Sequence, residues 1–540
     1  MNSLAENLVK LYGETIGKAL LLKIRSFIGV RENRTVHRKL NERDLFFITY
    51  ADTFQEPETV PLKSLANFLS SRMKGLITGV HILPFFPYSS DRGYSVIDFY
   101  KVKAELGNWE DIGEISRDYT LMADLVLNHV STQHLWFKKF LEGDPKYSDF
   151  FVWYTKDNLP PSDLLIKVAR PRATPLLTRF NTSKGERYVW TTYSVESSTD
   201  QVDLNYHNPE VLFEVIKIMV FLLGRGVSVI RLDAIPYIWK KLGTDCYLRP
   251  EVHTIVKILK AVLKMVKPDA YLVAQASVPF EKNTAFFGKN GDEADLVYNF
   301  PLAPLILYSF FKEDPSALIK WAKELVFPKD NVGFLNTLGT HDGLGLNGAR
   351  GSFDEIKIAE LVDHLKGRGV LVAEKSKEGK KVPYELDTTW WSVLDDGDRE
   401  SKFLSSIALM LSFKGVPLFY YGLLFGLEND IALYKKTGVK RDVNRGNVNL
   451  KKLFEDPKRR LIFDSVKKLI ERRKTISAFS PSANQSILEV HPKVFAFERG
   501  SDGEKVACFY NFSNGEVVFQ CRGKEMKIEP YGFLWTVNFD

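Results

Sequence analysis

The stretch VSVIRLD, residues 227–233, decides the fold of this chain. Side chains alternate between the two faces of a strand, so Arg231 and Asp233 share one face while Ile230 and Leu232 share the other. Such a strand fits a barrel wall, with the charged pair near its carboxyl end. A buried charge is costly unless it is paired, and a carboxylate beside a guanidinium stays ionised at neutral pH. The segment alone fits a structural ion pair and a catalytic nucleophile equally well.

Seven further short runs rich in β-branched and aromatic residues alternate with longer amphipathic stretches. This alternation is typical of successive βαβ units. The predicted strands are 45–51, 77–84, 121–127, 270–274, 296–300, 333–338 and 416–421. Together with the first stretch they predict an α/β fold, a closed (β/α)8 TIM barrel.

The barrel pattern is interrupted twice and ends before the chain does. Residues 1–130 and 206–473 are predicted to form the barrel. Residues 131–205 are polar, aromatic and rich in proline, which is incompatible with one crossover helix and indicates an inserted subdomain. Residues 351–391 are charged and predict an irregular insertion, and the short alternating runs in 474–540 predict a small antiparallel β domain.

Composition excludes several classes of function. The 74 basic and 67 acidic side chains leave a net charge of +7, spread over 540 residues, so a nucleic-acid partner is not expected. Three cysteines are few and odd in number, which favours a reducing cytoplasm. The amino terminus lacks a charged-then-apolar leader, and the most apolar stretch, 404–427, is broken by Lys414, Gly415 and Pro417. Neither secretion nor a membrane span is expected.

Polar side chains follow several of the predicted strands. The segment DLVLNH (124–129) closes the third strand, THDG (340–343) follows the seventh, and QVDLN (201–205) ends the inserted subdomain. Alone, a histidine is usually structural and Asp-Gly is usually a turn. Several such segments at the same end of successive strands indicate an active site, because barrel enzymes keep their sites at that rim.

The segments DLVLNH (124–129), RLD (231–233) and HD (341–342) resemble the ordered signature segments of the α-amylase superfamily of glycoside hydrolases and transglycosidases. Others are similar to the sucrose phosphorylase subfamily, whose relatives act on sucrose, sucrose 6'-phosphate, glucosylglycerate or glucosylglycerol. They are ITYAD (48–52), HILPFFP (81–87), SDRGY (90–94), RPR (170–172), LDAIPY (232–237), GVP (415–417) and RDVNR (441–445). The similarity spans the whole chain, and so many ordered segments are far more specific than one motif.

The resemblance implies a retaining double displacement on an α-glucoside, without a cofactor or a metal. It assigns Asp233 as the nucleophile that forms a covalent glucosyl intermediate and Asp342 as the carboxylate that stabilises the transition state. It places the remaining site residues around the glucose, Asp91, Tyr94, His129, Arg231, His341 and Arg445, or near the phosphate, Arg172 and Tyr237. Guanidinium and phenol groups suit phosphate oxygens. Phosphate is then the expected second substrate, and α-glucose 1-phosphate the product.

One position departs from the family pattern. The acid/base glutamate of the family ends the fifth strand, and Gln275 occupies the matching position. An amide cannot transfer a proton at neutral pH, whereas a retaining enzyme needs two carboxyl groups. Three explanations are open: a Glu→Gln variant of an active enzyme, a natural relative that binds carbohydrate without catalysis, or relocation of the acid to Glu281. The intact remaining machinery favours the first explanation.

The acceptor is expected to contact the segment 380–387, which includes Tyr384 and Glu385. Nearby lysines favour an anionic acceptor such as glycerate over neutral fructose, although a run of charge is often a solvated face. Two rival functions remain open, a hydrolase of the same fold and a non-catalytic carbohydrate-binding protein. The retained Asp233 argues against the binding protein, because recognition alone needs no isolated nucleophile beside an arginine.

Overall fold

Eight parallel strands close into a barrel, which confirms the predicted fold. The computed structural model describes residues 2–29, 39–171, 174–194, 199–326, 333–351, 353–377, 380–394, 397–501 and 503–539. The barrel strands are β1 (Phe46–Thr49), β2 (Gly79–Ile82), β3 (Thr120–Val126), β4 (Val227–Asp233), β5 (Tyr271–Ala274), β6 (Leu296–Tyr298), β7 (Gly333–Asn336) and β8 (Val416–Tyr420). Each pairs with the next along the chain, and β8 closes on β1, where Phe46 lies opposite Leu418.

Helices cover the barrel between successive strands. The longer ones are Asn2–Tyr12, Glu14–Ile28, Pro61–Phe68, Trp109–Asp118, Pro209–Gly224, Pro250–Val266, Leu302–Lys312, Ser316–Glu324, Glu355–Gly367, Arg399–Ser412 and Pro457–Lys474. Their starts follow from local chemistry: Asn108 and Asp111 form a reciprocal capping box at one helix, and Asn208 caps another. Within the described part of the chain, no helix combines the length and the apolar character needed to cross a membrane.

The segment after β3 folds above the barrel. Its base is a pair of antiparallel strands, His129–Ser131 and Gln201–Asp203. Above the base lie the helix Leu135–Leu141 and a three-stranded sheet of Trp153–Tyr154, Gly185–Trp190 and Leu177–Thr182. Aromatic rings pack these pieces together, with Phe137 and Phe151 in edge contact at 5.0 Å.

A buried lysine ties the base of this segment to the barrel. Lys240 is 7% exposed, donates to Asn128 Oδ1 at 2.6 Å and lies 3.0 Å from Asp203 Oδ2. Asn128 follows β3, and Asp203 ends the base strand. The ammonium group therefore neutralises a buried carboxylate between two structural units.

Lys240→Met is expected to lower the free energy of unfolding by about 3 kcal/mol or more, because it leaves the buried Asp203 carboxylate without its cation. The midpoint of thermal unfolding measures the loss. Lys241→Met is the matched control, since Lys241 is exposed and its loss is expected to change stability by less than about 0.5 kcal/mol. Equal effects from the two substitutions would contradict this role for Lys240.

The second insertion is regular, which corrects the expectation of an irregular segment over 351–391. The helix Glu355–Gly367 is followed by a hairpin of Leu371–Lys377 and Lys380–Asp387, and Leu344–Gly345 adds a third strand. Leu386 lies opposite Val372, and both are buried. Charged residues interrupt the apolar alternation in the sequence, and among them Glu374 and Lys381 are exposed.

Short antiparallel strands follow the last long helix, as the sequence predicts. Four strands pair in the order Asn484–Leu488, Val494–Ser501, Glu504–Asn511, Phe533–Val537, and Val517–Cys521 pairs with Lys524–Ile528. This unit packs against the barrel: the Tyr510 and Ser412 hydroxyls lie 2.5 Å apart, and Arg499 donates to the Ser412 carbonyl at 2.7 Å.

Candidate active site at the carboxyl ends of the barrel strands

A cavity opens at the carboxyl end of the barrel. Segments distant in sequence supply its walls. It is lined by Asp91, Tyr94, His129, Pro171, Tyr193, Asp233, Ala234, Pro236, Tyr237, Gln275, Ser277, His341, Asp342, Tyr384, Glu385 and Arg441. The structure therefore brings together most of the residues that the sequence singled out.

The floor of the cavity is a chain of buried charges. Arg231 on β4 lies in register with Asp124 on β3, and its guanidinium contacts both Asp124 and Asp233, the latter at 2.9 Å. Asp124 also accepts a hydrogen bond from His81 Nε2 at 2.7 Å. Because Asp124 fixes the guanidinium from below, Arg231 orients the Asp233 carboxylate toward the cavity.

Asp233 is less acidic than the sequence indicates. Burial raises the pKa of Asp233 to about 7, with the negative charges of Asp124 and Asp342 adding to the effect, and Arg231 offsets only part of it. The expectation that the guanidinium alone keeps this carboxylate ionised is therefore corrected. In the free protein near neutral pH, Asp233 is partly protonated.

The pKa of Asp342 is shifted in the opposite direction from that of Asp233. Burial opposes its ionisation, but the charges of Arg441 and Arg445 lower the pKa of Asp342 well below its usual range. Arg441 Nη1 lies 2.9 Å from Asp342 Oδ1 and Arg445 Nη2 lies 3.4 Å from the same oxygen. Asp342 is a permanent negative charge, suited to stabilising a developing cation.

The histidines of the site are neutral. Burial lowers the pKa of His129 to about 4 and lowers the pKa of His341 well below its usual range. The rings of His341 and Tyr94 stack at 5.3 Å, and their Nε2 and hydroxyl groups are 2.8 Å apart. His129 Nε2 is buried without a hydrogen-bond partner among the described residues. It faces a cavity in which a hydroxyl group would satisfy it.

The structure places Arg445 beside His341 and Asp342. It donates to the His341 carbonyl at 2.8 Å and is absent from the described lining of the cavity. Asp91, its expected partner on the sugar, accepts a hydrogen bond from Gln201 Nε2 at 3.3 Å. Arg445 thus supports His341 and Asp342 from behind, while Arg441 reaches the cavity.

Gln275 lies at the end of β5, where its backbone N–H donates to the Leu232 carbonyl at 3.2 Å. Its side chain lines the same cavity as Asp233. Glu281 is exposed on the short helix Phe280–Thr284 and does not line the cavity. The structure therefore gives no support to relocation of the acid to Glu281.

The opposite wall comes from the hairpin and from the turn after β4. Tyr384 and Glu385 line it, as does Tyr237, whose ring meets that of Tyr193 at 5.5 Å. Glu385 Oε2 accepts from Arg441 at 2.6 Å, yet burial raises the pKa of Glu385 to about 7. Arg172, expected near phosphate, lies outside the described residues.

Sequence reasoning assigned no role to Arg441, Tyr193 or Ser277, which all line the cavity. Arg441 is the first residue of the RDVNR segment (441–445), so the sequence does contain a signal for its presence at the site. Tyr193 lies in the proline-rich insertion, where no strand pattern places a side chain. Ser277 comes only two residues after Gln275, beyond the end of β5.

Comparisons with known proteins show which family the chain belongs to. The family "Alpha amylase, catalytic domain" matches residues 73–332. Glucosylglycerate phosphorylase of Spirochaeta thermophila is 42% identical over 92% of this chain and 85% of that protein. Glucosylglycerate phosphorylase of Escherichia coli K12 is 35% identical over 98% of this chain and 99% of its own length.

Among solved structures, sucrose 6F-phosphate phosphorylase from Thermoanaerobacter thermosaccharolyticum superposes with a TM-score of 0.79. It is 25% identical, and the match covers 92% of this chain and 99% of that one. The closed parallel barrel and the relatives of high coverage together define the class, a glycosyl-transferring barrel enzyme. The chain belongs to the α-amylase family.

Proposed function

We propose that this chain is a retaining α-glucoside phosphorylase that acts on glucosylglycerate and transfers the glucosyl group to inorganic phosphate. The observation that carries the proposal is the Asp233 carboxylate, held by Arg231 in a cavity that it shares with Asp342. The identity of 35% and 42% to two glucosylglycerate phosphorylases over most of the chain supports the choice of donor. Sucrose and sucrose 6'-phosphate are the alternative donors.

In the first step, an Asp233 oxygen attacks the anomeric carbon and the bond to the glycerate oxygen breaks. That oxygen takes a proton from the carboxyl group at position 275 in the Gln275→Glu form, and from water in the chain as it stands. Asp342 stabilises the positive charge that develops on the sugar ring, and Asp91, His129 and His341 bind its hydroxyl groups. In the second step, a phosphate oxygen attacks the same carbon and the ester to Asp233 breaks. Two inversions retain the α configuration, so the product is α-glucose 1-phosphate.

We propose that phosphate and the departing acceptor occupy the wall formed by Tyr237, Tyr384, Glu385 and Arg441. The guanidinium group of Arg441 presents several N–H donors in one plane, which suits the oxygens of an anion. Glu385, whose pKa burial raises to about 7, can be neutral when an anion enters. This combination suits an acceptor that carries a carboxylate, such as glycerate.

Gln275 is proposed to stand in the acid/base position, as in a Glu→Gln variant of an active phosphorylase. Its amide can donate a hydrogen bond to the glycosidic oxygen but cannot protonate it. The retained Asp233, Arg231 and Asp342 support this interpretation over a non-catalytic binding protein. Recognition of a sugar does not require a carboxylate poised for attack on its anomeric carbon.

The proposal is tested with the Gln275→Glu form, incubated with glucosylglycerate, sucrose, sucrose 6'-phosphate or glucosylglycerol. We expect α-glucose 1-phosphate from glucosylglycerate at the highest kcat/KM, and only when phosphate is present. Glucose released at the same rate without phosphate would identify a hydrolase. No turnover of any of the four compounds would favour a binding protein.

The pH dependence follows from the state of Asp233. Only the ionised form of Asp233 attacks the sugar, and burial raises the pKa of Asp233 to about 7. We therefore expect kcat/KM for α-glucosyl fluoride to rise tenfold per pH unit below pH 7 and to level off above pH 7. Fluoride release measures the profile. Glu385→Gln is the control, and its kcat/KM is expected to show the same rise below pH 7. If the rise disappears in that variant, the group that titrates is Glu385 and not Asp233.

We also propose a cytoplasmic location, where phosphate and free thiols are both maintained. The three cysteines, Cys246, Cys508 and Cys521, are buried and free, which suits a reducing compartment.

A further inference from the structure

A single carboxylate outside the cavity collects an unusual number of hydrogen bonds. Asp200 Oδ2 accepts from the hydroxyl groups of Ser89, Ser90 and Ser95 at 2.5, 2.7 and 2.6 Å. Asp200 Oδ1 accepts from the Ser131 hydroxyl at 3.1 Å and from the Thr132 hydroxyl and backbone N–H at 2.8 and 3.1 Å. One oxygen therefore serves the loop 89–95, and the other serves residues 131–132.

These two segments carry neighbouring parts of the cavity wall. The loop 89–95 contains Asp91 and Tyr94, and the strand that ends at Ser131 begins at His129. Gln201, the neighbour of Asp200, donates to Asp91 Oδ2. Asp200 thus connects the two segments that carry Asp91, Tyr94 and His129 into the cavity wall.

The loop needs such a restraint because its backbone is strained. Asp91 and Arg92 have φ angles of 53° and 47°, in the left-handed region that residues with a Cβ atom rarely adopt. Strained residues persist where the surroundings hold them, and they occur often at ligand sites. Arg92 is held by Asp52 and the Arg445 carbonyl, the latter at 2.8 Å, and the Asp200 contacts hold the loop on both sides of Asp91.

The negative charge of Asp200 is part of this restraint. Burial opposes ionisation, but the surrounding serine and threonine hydroxyl groups lower the pKa of Asp200 to about 2. The carboxylate is therefore ionised at every pH at which an enzyme of this kind operates. An amide of the same shape offers one accepting oxygen in place of two, so it can serve only one of the two segments.

We propose that Asp200 is a positioning residue that sets the affinity of the cavity for the glucosyl group by holding the walls that carry Asp91, Tyr94 and His129. The inference rests on the proposed function, since it assigns these three side chains to the sugar. Asp200 itself does not touch the substrate. Its loss is expected to weaken donor binding while leaving Asp233, Asp342 and the proposed phosphate-binding residues on the hairpin side of the cavity in place.

The test uses the chain as it stands and α-glucosyl fluoride, whose fluoride leaves without protonation. For Asp200→Asn, we expect the KM for α-glucosyl fluoride to rise by about tenfold or more, with kcat and the KM for phosphate changed by less than about threefold. Ser90→Ala removes one contact and is expected to raise the same KM by a smaller factor. Asp157→Asn, an exposed site in the same insertion, is expected to change neither constant.

Thermal unfolding shows whether each variant is folded. If Asp200→Asn does not fold, the KM of Ser90→Ala is used as the test. An unchanged donor KM in the folded variants, or an equal fall in kcat for all donors, would overturn the positioning role. Fluoride release tests the positioning role of Asp200, whereas the dependence of product formation on phosphate tests the proposed phosphorylase activity. Either of these proposals can therefore fail without the other.

Discussion

Asp233→Asn is expected to stop glucosyl transfer, with turnover of α-glucosyl fluoride reduced by about 10⁴-fold or more. An asparagine side chain fills the same space but is too weak a nucleophile to displace fluoride and form the ester. The walls that bind glucose are unchanged, so glucose is still expected to bind. Fluoride release measures the loss of chemistry, and titration calorimetry with glucose measures the retained binding.

The same variant is expected to be more stable than its parent at pH 8. Burial raises the folded-state pKa of Asp233 to about 7, whereas an aspartate in the unfolded chain has a pKa of about 3.9. The folded state therefore holds this proton more tightly, and the penalty for losing it grows as pH rises from about 4 to 7. The rise in unfolding temperature caused by Asp233→Asn is expected to be larger at pH 8 than at pH 5. A lower unfolding temperature at pH 8 would mean that the fold is damaged.

Gln275→Glu is expected to raise kcat for O-linked glucosides by about 10² to 10⁴-fold, the usual contribution of general acid catalysis. Gln275 shares the cavity with Asp233, so a carboxyl group there can protonate the departing glycerate oxygen. Steady-state rates of α-glucose 1-phosphate formation from glucosylglycerate measure the gain.

The control separates acid catalysis from a general improvement of the site. Fluoride needs no proton to depart, so fluoride release from α-glucosyl fluoride in the first step is expected to change little in the same variant. Glu281→Gln is the matched substitution on the exposed helix beyond β5, and no change in either rate is expected from it. A Gln275→Glu form without any gain on glucosides would exclude the interpretation of Gln275 as a Glu→Gln variant.

The barrel could be predicted because its strands carry a strong local signal. Each of the eight is a short apolar run between amphipathic stretches, and the period of two places Arg231 and Asp233 on one face without further information. The ends of β3, β4 and β7 then supply His129, Asp233, and the pair His341 and Asp342 to one rim. These features depend on local pattern and on the general geometry of barrels.

Other features depend on contacts between distant segments. The raised pKa of Asp233 reflects its burial beside two other carboxylates, Asp124 and Asp342, which no strand pattern quantifies. Arg441 lines the cavity, whereas Arg445 donates to the His341 carbonyl behind it, and the segment that contains both does not show this difference. The six hydrogen bonds on Asp200 come from five residues in two separate segments, and serines and threonines of this kind are unremarkable in a sequence.

The central claim is that Asp233 becomes covalently bound to the anomeric carbon of glucose. It is tested most directly by incubating the chain with α-glucosyl fluoride in the absence of phosphate, followed by acid quenching, proteolysis and mass spectrometry. Gln275 cannot activate water, so the intermediate is expected to accumulate, and the peptide that contains Asp233 is expected to carry one added glucosyl residue. Phosphate should then discharge it as α-glucose 1-phosphate. An unmodified peptide during turnover, together with β-glucose 1-phosphate as product, would contradict the claim.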